Sequence, residues 1–138
     1  MADLTFSLLE HCELKRERMA ETLALTVAEF KLILAMHDED GVTAGDLARR
    51  IELSNSRLTR ILDGLAAKKL VSRDVSAEDR RVMRIRLTPA GVKVREELRK
   101  SYVQTHRDIL DLLPKGADRS VIFAMEKLLE AMKTWEKI

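Results

Sequence analysis

Residues 70–89 read LVSRDVSAEDRRVMRIRLTP, two apolar-alternating runs either side of a polar tip that holds Asp79, Arg80 and Arg81. In the second run Met83, Ile85 and Leu87 fall on one side and Arg84 and Arg86 on the other, the period of a half-buried strand. The stretch predicts a β-hairpin with a basic tip. Thr88 followed by Pro89 starts a helix, because Thr caps free N–H groups and Pro is tolerated at the first helical position. An arginine-tipped hairpin set among helices has the form needed to reach a groove of DNA.

Upstream of the hairpin, residues 54–69 (SNSRLTRILDGLAAKK) predict a helix with Leu58, Ile61, Leu62 and Leu65 as its inner stripe. Asn55, Ser56, Arg57, Thr59, Arg60 and Asp63 lie on or toward other faces. Thr43 with Asp46 has the spacing of a capping box with a shortened acid and starts a short helix to about Ile51. Only Glu52 and Leu53 separate the two, a connection that fits a tight turn between steeply angled helices. Thr26 with Glu29 caps another helix, from Val27 to about His37, and residues 38–41 are the break. An amphipathic helix covers residues 3–23, with Phe6, Leu9, Cys12 and Met19 near helical spacing. After the hairpin, a long helix runs to about Leu113 and ends at Pro114 and Gly116. A last helix covers about residues 117–137, with Val121, Ile122, Met125, Leu128, Leu129, Met132 and Trp135 at the 3.6 period.

The fold class is therefore mainly α with a small β-hairpin: a winged helix-turn-helix flanked by N- and C-terminal helices. Residues 1–25 and 101–138 form the flanks, residues 26–100 the winged region, and the whole makes one compact domain. The composition agrees. Aromatic residues are 4% of the 138 and hydrophobic residues 46%, which suits packed helices. One cysteine excludes an internal disulfide. No apolar run approaches the roughly 18 residues of a membrane span, and no signal-peptide pattern is present, so a soluble cytoplasmic protein is expected. The chain has 25 Lys+Arg and 23 Asp+Glu, yet residues 43–100 hold 15 and 8 of these, leaving 10 and 15 for the flanks. A basic middle between acidic ends suggests a polyanion for the middle and another task for the ends.

In a winged helix-turn-helix the second helix of the motif offers side chains to base edges while the hairpin reaches the backbone or minor groove. Asn55, Ser56, Arg57, Thr59 and Arg60 are the candidate readers, and Ser54 the helix cap beside them. Arg73, Arg80 and Arg81 are the candidate contacts of the wing, with Arg81 the choice for the minor groove. Asp79, two residues before Arg81, either orients the Arg81 guanidinium with its carboxylate or merely makes the turn. Phe6, Leu9 and Cys12, with Val121, Met125, Leu128, Met132 and Trp135, are candidates for a dimer core; the other reading is that these stripes close the monomer's own interior.

LTVAEFKLILAM, ELSNSRLTRILDGLAAKKLVSR and AEDRRVMRIRLTPAG together resemble the multiple antibiotic resistance regulator (MarR) family of bacterial transcription factors. The resemblance implies a homodimer with interlocked terminal helices, one winged lobe on each half of a pseudo-palindromic DNA site, and release by a ligand or oxidant. A small lipophilic or aromatic effector is the implied ligand, and repression the implied effect. By position, Ser56, Arg57, Thr59 and Arg60 match the family's reading helix, and Asp79 and Arg81 its wing signature. Ser76 and Glu78 depart from that signature, where the family often has an acid and a base. Lys69 stands where many members have Gly or another residue tolerant of the left-handed conformation, which points to a turn that is strained or differently shaped.

Cys12 lies closer to the Leu25-Thr26 pair than the reactive cysteine of the family's hydroperoxide-responsive branch, and Tyr102 is the one tyrosine. A buried, unreactive thiol is expected. His11, Cys12 and Glu13 are adjacent and point in different directions on a helix, so no metal site is expected even with His106 on a later helix, and no cofactor. No Gly-rich phosphate loop, nucleophile with a partner base or recognisable carboxylate pair suggests an enzyme. The rival class is a winged-helix protein-interaction module without DNA binding.

Overall fold

Among the described residues, three threonines and a serine set where four of the six helices of the computed structural model begin. The structure describes residues 1–37 and 41–138, so most of the break expected at residues 38–41 lies outside the described residues. Helix α1 is Ala2–Thr22 and α2 is Val27–Ala35. At the start of α2 the Thr26 hydroxyl accepts from the Glu29 N–H at 3.1 Å, and Glu29 Oε2 accepts from the Thr26 N–H at 2.8 Å. That is a complete capping box.

Helix α3, Ala44–Arg50, starts at Thr43 in a modified way. The Thr43 hydroxyl accepts from the Asp46 N–H at 3.1 Å and donates to Asp46 Oδ2 at 2.8 Å. Asp is one methylene shorter than Glu, and here its carboxylate meets the threonine hydroxyl. That hydrogen bond lowers the Asp46 pKa below its usual 3.8, burial opposes the shift, and Arg49 adds to it. Ser54 caps α4, Asn55–Ala67, accepting from the Arg57 N–H at 3.4 Å. Thr88 caps α5, Pro89–Asp111, accepting from the Gly91 N–H at 3.1 Å while donating to the Lys69 carbonyl at 2.7 Å. Helix α6 is Ala117–Trp135.

The hairpin is β2, Val71–Val75, and β3, Met83–Leu87. A strand absent from the expectation, β1 at Val42–Thr43, pairs with β3, giving three antiparallel strands in the order β1-β3-β2. Val42 faces Ile85 across one ladder and Arg73 faces Ile85 across the other. Two residues are too few to show alternation, which is why β1 is silent in the sequence.

The chain divides into two units, Met1–Ser101 and Tyr102–Ile138. In the first, Phe30, Leu32 and Ile33 of α2, Leu47 of α3, Leu58 and Leu65 of α4, Ile85 of β3 and Leu98 of α5 are buried in one hydrophobic cluster. The expected alternation of β3 holds at its base: Ile85 is fully buried and Leu87 half-buried, while Met83 is 43% exposed near the tip. In the second unit α6 buries none of its residues. Among the described residues no helix is long and apolar enough to cross a membrane.

Three helices end in the same unusual way. Ala24, Glu52 and Lys69 have φ of 53°, 53° and 59°, the left-handed region that favours glycine. Each stands two residues beyond the last residue of α1, α3 or α4, and the next residue is a leucine whose N–H reaches back to a carbonyl: Leu25 to Ala20 at 2.9 Å, Leu53 to Ala48 at 3.0 Å, Leu70 to Leu65 at 2.9 Å. These are Schellman closures, with Leu25 and Leu70 buried in the core and Leu53 half-buried. The strained turn expected at Lys69 is present, and two more like it. Beyond the third closure the strand passes so close to α5 that a Cβ at Gly91 would stand 2.0 Å from the Leu70 carbonyl oxygen.

The corner between α1 and α2 is tied to the end of α4. Lys68 Nζ donates to the Ala24 carbonyl and to Glu29 Oε2, both at 2.6 Å. Glu29 is buried, and its second partner, the Thr26 N–H, belongs to the same corner. A buried carboxylate needs that degree of pairing.

Candidate nucleic-acid interface

On α4 the apolar stripe Leu58, Leu62 and Leu65 is buried, which turns Asn55, Ser56, Arg57, Thr59 and Arg60 outward. All five are exposed. The Thr59 hydroxyl donates to the Asn55 carbonyl at 2.9 Å, so it faces outside partners as an acceptor. The hydroxyls of Ser54 and Ser56 lie 3.3 Å apart, and Ser54 serves as the cap. Arg57 and Arg60 make no side-chain hydrogen bond or ion pair among the described residues.

The wing tip is residues 76–82. Asp79 Oδ1 accepts from the Arg81 main-chain N–H at 2.9 Å, and the Val82 N–H bonds the Asp79 carbonyl at 3.0 Å. The two-residue offset is thus an Asx turn, and the expectation that the carboxylate holds the Arg81 guanidinium is corrected. A short side chain reaches the N–H two residues on more readily than it reaches the end of a long arginine. Ser76 is buried and its hydroxyl accepts from the Glu78 N–H at 3.3 Å, a second local turn. Arg80 and Arg81 are exposed and, like Arg57 and Arg60, have no side-chain partner among the described residues.

Arg73 is placed differently. Its Nη2 donates to Asp63 Oδ1 on α4 at 2.6 Å, and its Nε is buried without an acceptor. On the opposite face Arg86 Nε stands 4.0 Å from Asp74 Oδ2. Sequence reasoning left Asp63 out of the site. Its signal was present in the alternation of β2: Val71, Arg73 and Val75 share a side, so a cation on the apolar side of the hairpin required an anion nearby.

The residues expected at a dimer core are uncovered in the chain. Phe6 is 70% exposed and Trp135 74%; Leu9, Met125, Leu128 and Met132 are exposed as well, and Val121 is half-buried. Each stripe is thus left largely uncovered by its own unit. Cys12 is exposed in the single chain, on the same stripe of α1 as Phe6 and Leu9. The apolar stripe of α1 that carries it has no cover within its unit beyond Met19 and Ala20, the two buried residues of that helix. The Nδ1 of His11 donates to the Ser7 carbonyl at 2.8 Å, and that of His106 to the Tyr102 carbonyl at 2.7 Å.

Residues 25–82, from α2 through the wing tip, match the model of the MarR family. Over this winged helix the chain is similar to the MarR family. It is 32% identical over 84 residues to the HTH-type transcriptional regulator SarZ of Staphylococcus haemolyticus, covering 61% of this chain and 57% of that one. It is 27% identical over 143 residues to the HTH-type transcriptional repressor MdtR of Bacillus subtilis, covering 99% and 90%. The chain spans about half the length of the curated relatives it matches at higher identity, 57% for SarZ and 47% for another regulator of B. subtilis. In fold it is similar to MepR, a transcription regulator of the Staphylococcus aureus multidrug efflux pump MepA, with a TM-score of 0.81 at 22% identity, covering 96% and 98%. The MepR–DNA complex gives 0.71 at 23% identity over the same shares. The fold is thus that of a winged helix, mainly helical with a small antiparallel sheet, as the sequence predicts.

Proposed function

We propose that this chain is a DNA-binding transcription regulator of the MarR family and not an enzyme. It acts as a homodimeric repressor on a pseudo-palindromic operator and is released by a small aromatic or lipophilic effector. The observation that carries the reading is the state of four guanidiniums. Arg57 and Arg60 on α4, and Arg80 and Arg81 at the tip, are exposed and bound to no other described side chain. Guanidiniums in that state are available to phosphates and to guanine edges. Asn55, Ser56 and Thr59 add amide and hydroxyl groups to the same helix face. The description of MepR in complex with DNA and the name of MdtR as a repressor support the same reading.

Homodimerisation is supported by the uncovered stripes on α1 and α6, because apolar patches of this kind mark interaction surfaces. Residues 1–25 and 101–138 are the dimerisation segments in this reading, and residues 26–100 the DNA-binding region. A second reading, a winged-helix module for protein contact, draws on Val75 and Met83. They pair directly across the hairpin and are 60% and 43% exposed, an apolar spot near the tip.

Selection of bound duplexes from random DNA tests the first reading. The expected outcome is a two-fold-symmetric site with half-sites about one helical turn apart. Neutralising Arg57, Arg60 and Arg81 abolishes that binding if DNA is the partner and leaves the activity untouched if a protein is. Failure to enrich any duplex at low salt, where phosphate contacts are strongest, would sink the proposal. Light scattering checks the dimer, and a monomer at micromolar concentration refutes that part.

A further inference from the structure

Directly paired residues of an antiparallel ladder share a face. Val71, Arg73 and Val75 of β2 therefore lie on the side of Leu87, Ile85 and Met83 of β3. Val71 and Ile85 are buried on that face and β2 packs against α4. Arg73 thus runs its stem along the core side and brings its guanidinium out at the rim. There it meets Asp63, with side-chain exposures of 26% for the arginine and 61% for the aspartate. Asp63 is three residues beyond Arg60 and seven beyond Ser56, so it occupies the same stripe of α4 as the readers. A carboxylate on that stripe repels a polyanion.

We infer that Asp63 and Arg73 are positioning residues: their ion pair fixes the wing against the reading helix so that Arg60 and Arg81 meet one duplex in register. The inference rests on the DNA-binding reading above. Helix α4 and the hairpin are otherwise joined by the turn at Lys68 and Lys69 and by core packing at the hairpin's base, at Val71 and Ile85; the outer part of the hairpin, left to move separately from α4, would lose that freedom on binding. Holding them together beforehand removes part of that loss. Arg73 then acts through geometry and gives no charge to a phosphate, and Asp63 is kept on the face in spite of its sign.

The sign of one substitution separates the two roles. Asp63→Asn removes a negative charge from the reading face; simple electrostatics tightens DNA binding, whereas loss of the brace weakens it. Arg73→Gln lowers the salt slope of binding by about one unit if the arginine contacts a phosphate, and leaves the slope unchanged if it positions the wing. The test uses the full chain and the duplex recovered by selection, with fluorescence anisotropy from about 50 to about 200 mM salt for the wild type, Asp63→Asn, Arg73→Gln and the double variant. Thermal melts accompany each, and the exposed Asp63 carries the test if Arg73→Gln fails to fold. Each single variant is expected to bind about fivefold to tenfold more weakly, with the double variant no weaker than either. Asp63→Asn binding as tightly as wild type or tighter, a lowered slope for Arg73→Gln, or losses that multiply in the double variant overturn the inference alone. A wild-type chain that enriches no duplex overturns the DNA-binding reading and this inference with it.

Discussion

Replacing Lys69 by Gly is expected to stabilise the protein. Lys69 holds φ at 59°, where the Cβ of an L-residue crowds the neighbouring carbonyl at a cost of about 1–2 kcal/mol. Glycine removes that crowding and restores about 0.5–1 kcal/mol of backbone freedom to the unfolded chain. The net gain is about 0.5–1 kcal/mol. The closure itself survives, because the bonds from the Lys69 and Leu70 N–H groups to the Ala66 and Leu65 carbonyls, both 2.9 Å, belong to the main chain. The Thr88 hydroxyl bond to the Lys69 carbonyl survives for the same reason. With an unfolding entropy of about 2.1 cal/mol/K per residue over the 138 residues, the gain raises Tm by about 2–3 °C. The assay is urea denaturation and thermal melting at one fixed protein concentration, with Lys69→Ala as the control that keeps the strain. A glycine variant no more stable than the alanine variant would refute the reasoning. Ala24→Gly and Glu52→Gly act on separate helix ends and are expected to add to it.

Gly91→Ala puts a Cβ within 2.0 Å of the Leu70 carbonyl oxygen and forces β2 away from the start of α5. It is expected to cost about 1–3 kcal/mol or more in urea unfolding, as overpacking does. The Asp46 pKa lies below its usual 3.8 in the folded chain, so the unfolded chain binds the proton more readily. The stability this gives is full above the usual value and is lost as pH falls through the lower, folded one. The wild type is therefore expected to exceed Asp46→Asn in urea midpoint at pH 6 by more than at pH 3; a gap that is constant or widens toward acid contradicts the assignment.

Four of the six helices among the described residues were legible because each begins on a hydroxyl at the right distance from an acid or a free N–H, information carried within four residues. Thr26, Thr43, Ser54 and Thr88 all cap as the spacing predicts. The hairpin was legible from the alternation ending in Ile85 and Leu87. Side-chain destinations were less so. Asp79 was read as a partner for a guanidinium because both charges are visible in the sequence, whereas the main-chain N–H it bonds is common to every residue but proline. Arg73 was read by its charge when its parity in β2 decided its direction. Cys12 and its neighbours show in the sequence as an apolar stripe, but whether a stripe closes its own interior or a dimer core is not carried by spacing, and its own unit leaves it exposed.

The acids of the basic region account for how its arginines divide. Asp46 pairs with Arg49, Asp63 with Arg73, and Asp74 lies beside Arg86. Asp79 spends its carboxylate on a main-chain N–H and leaves the neighbouring guanidiniums without a partner. Each of these acids shapes the scaffold and neutralises a cation away from the tip and the first turns of α4, or neutralises none. The excess positive charge of residues 43–100 is therefore not spread evenly over the surface. Part of it stands in Arg57, Arg60, Arg80 and Arg81, whose neighbours on the same elements are engaged elsewhere. A wing with Ser76 and Glu78 at its tip is less basic than one with a base there. Its contribution accordingly rests on where Arg81 is held, which makes the Asx turn at Asp79 and the brace at Asp63 matter more than the count of charges.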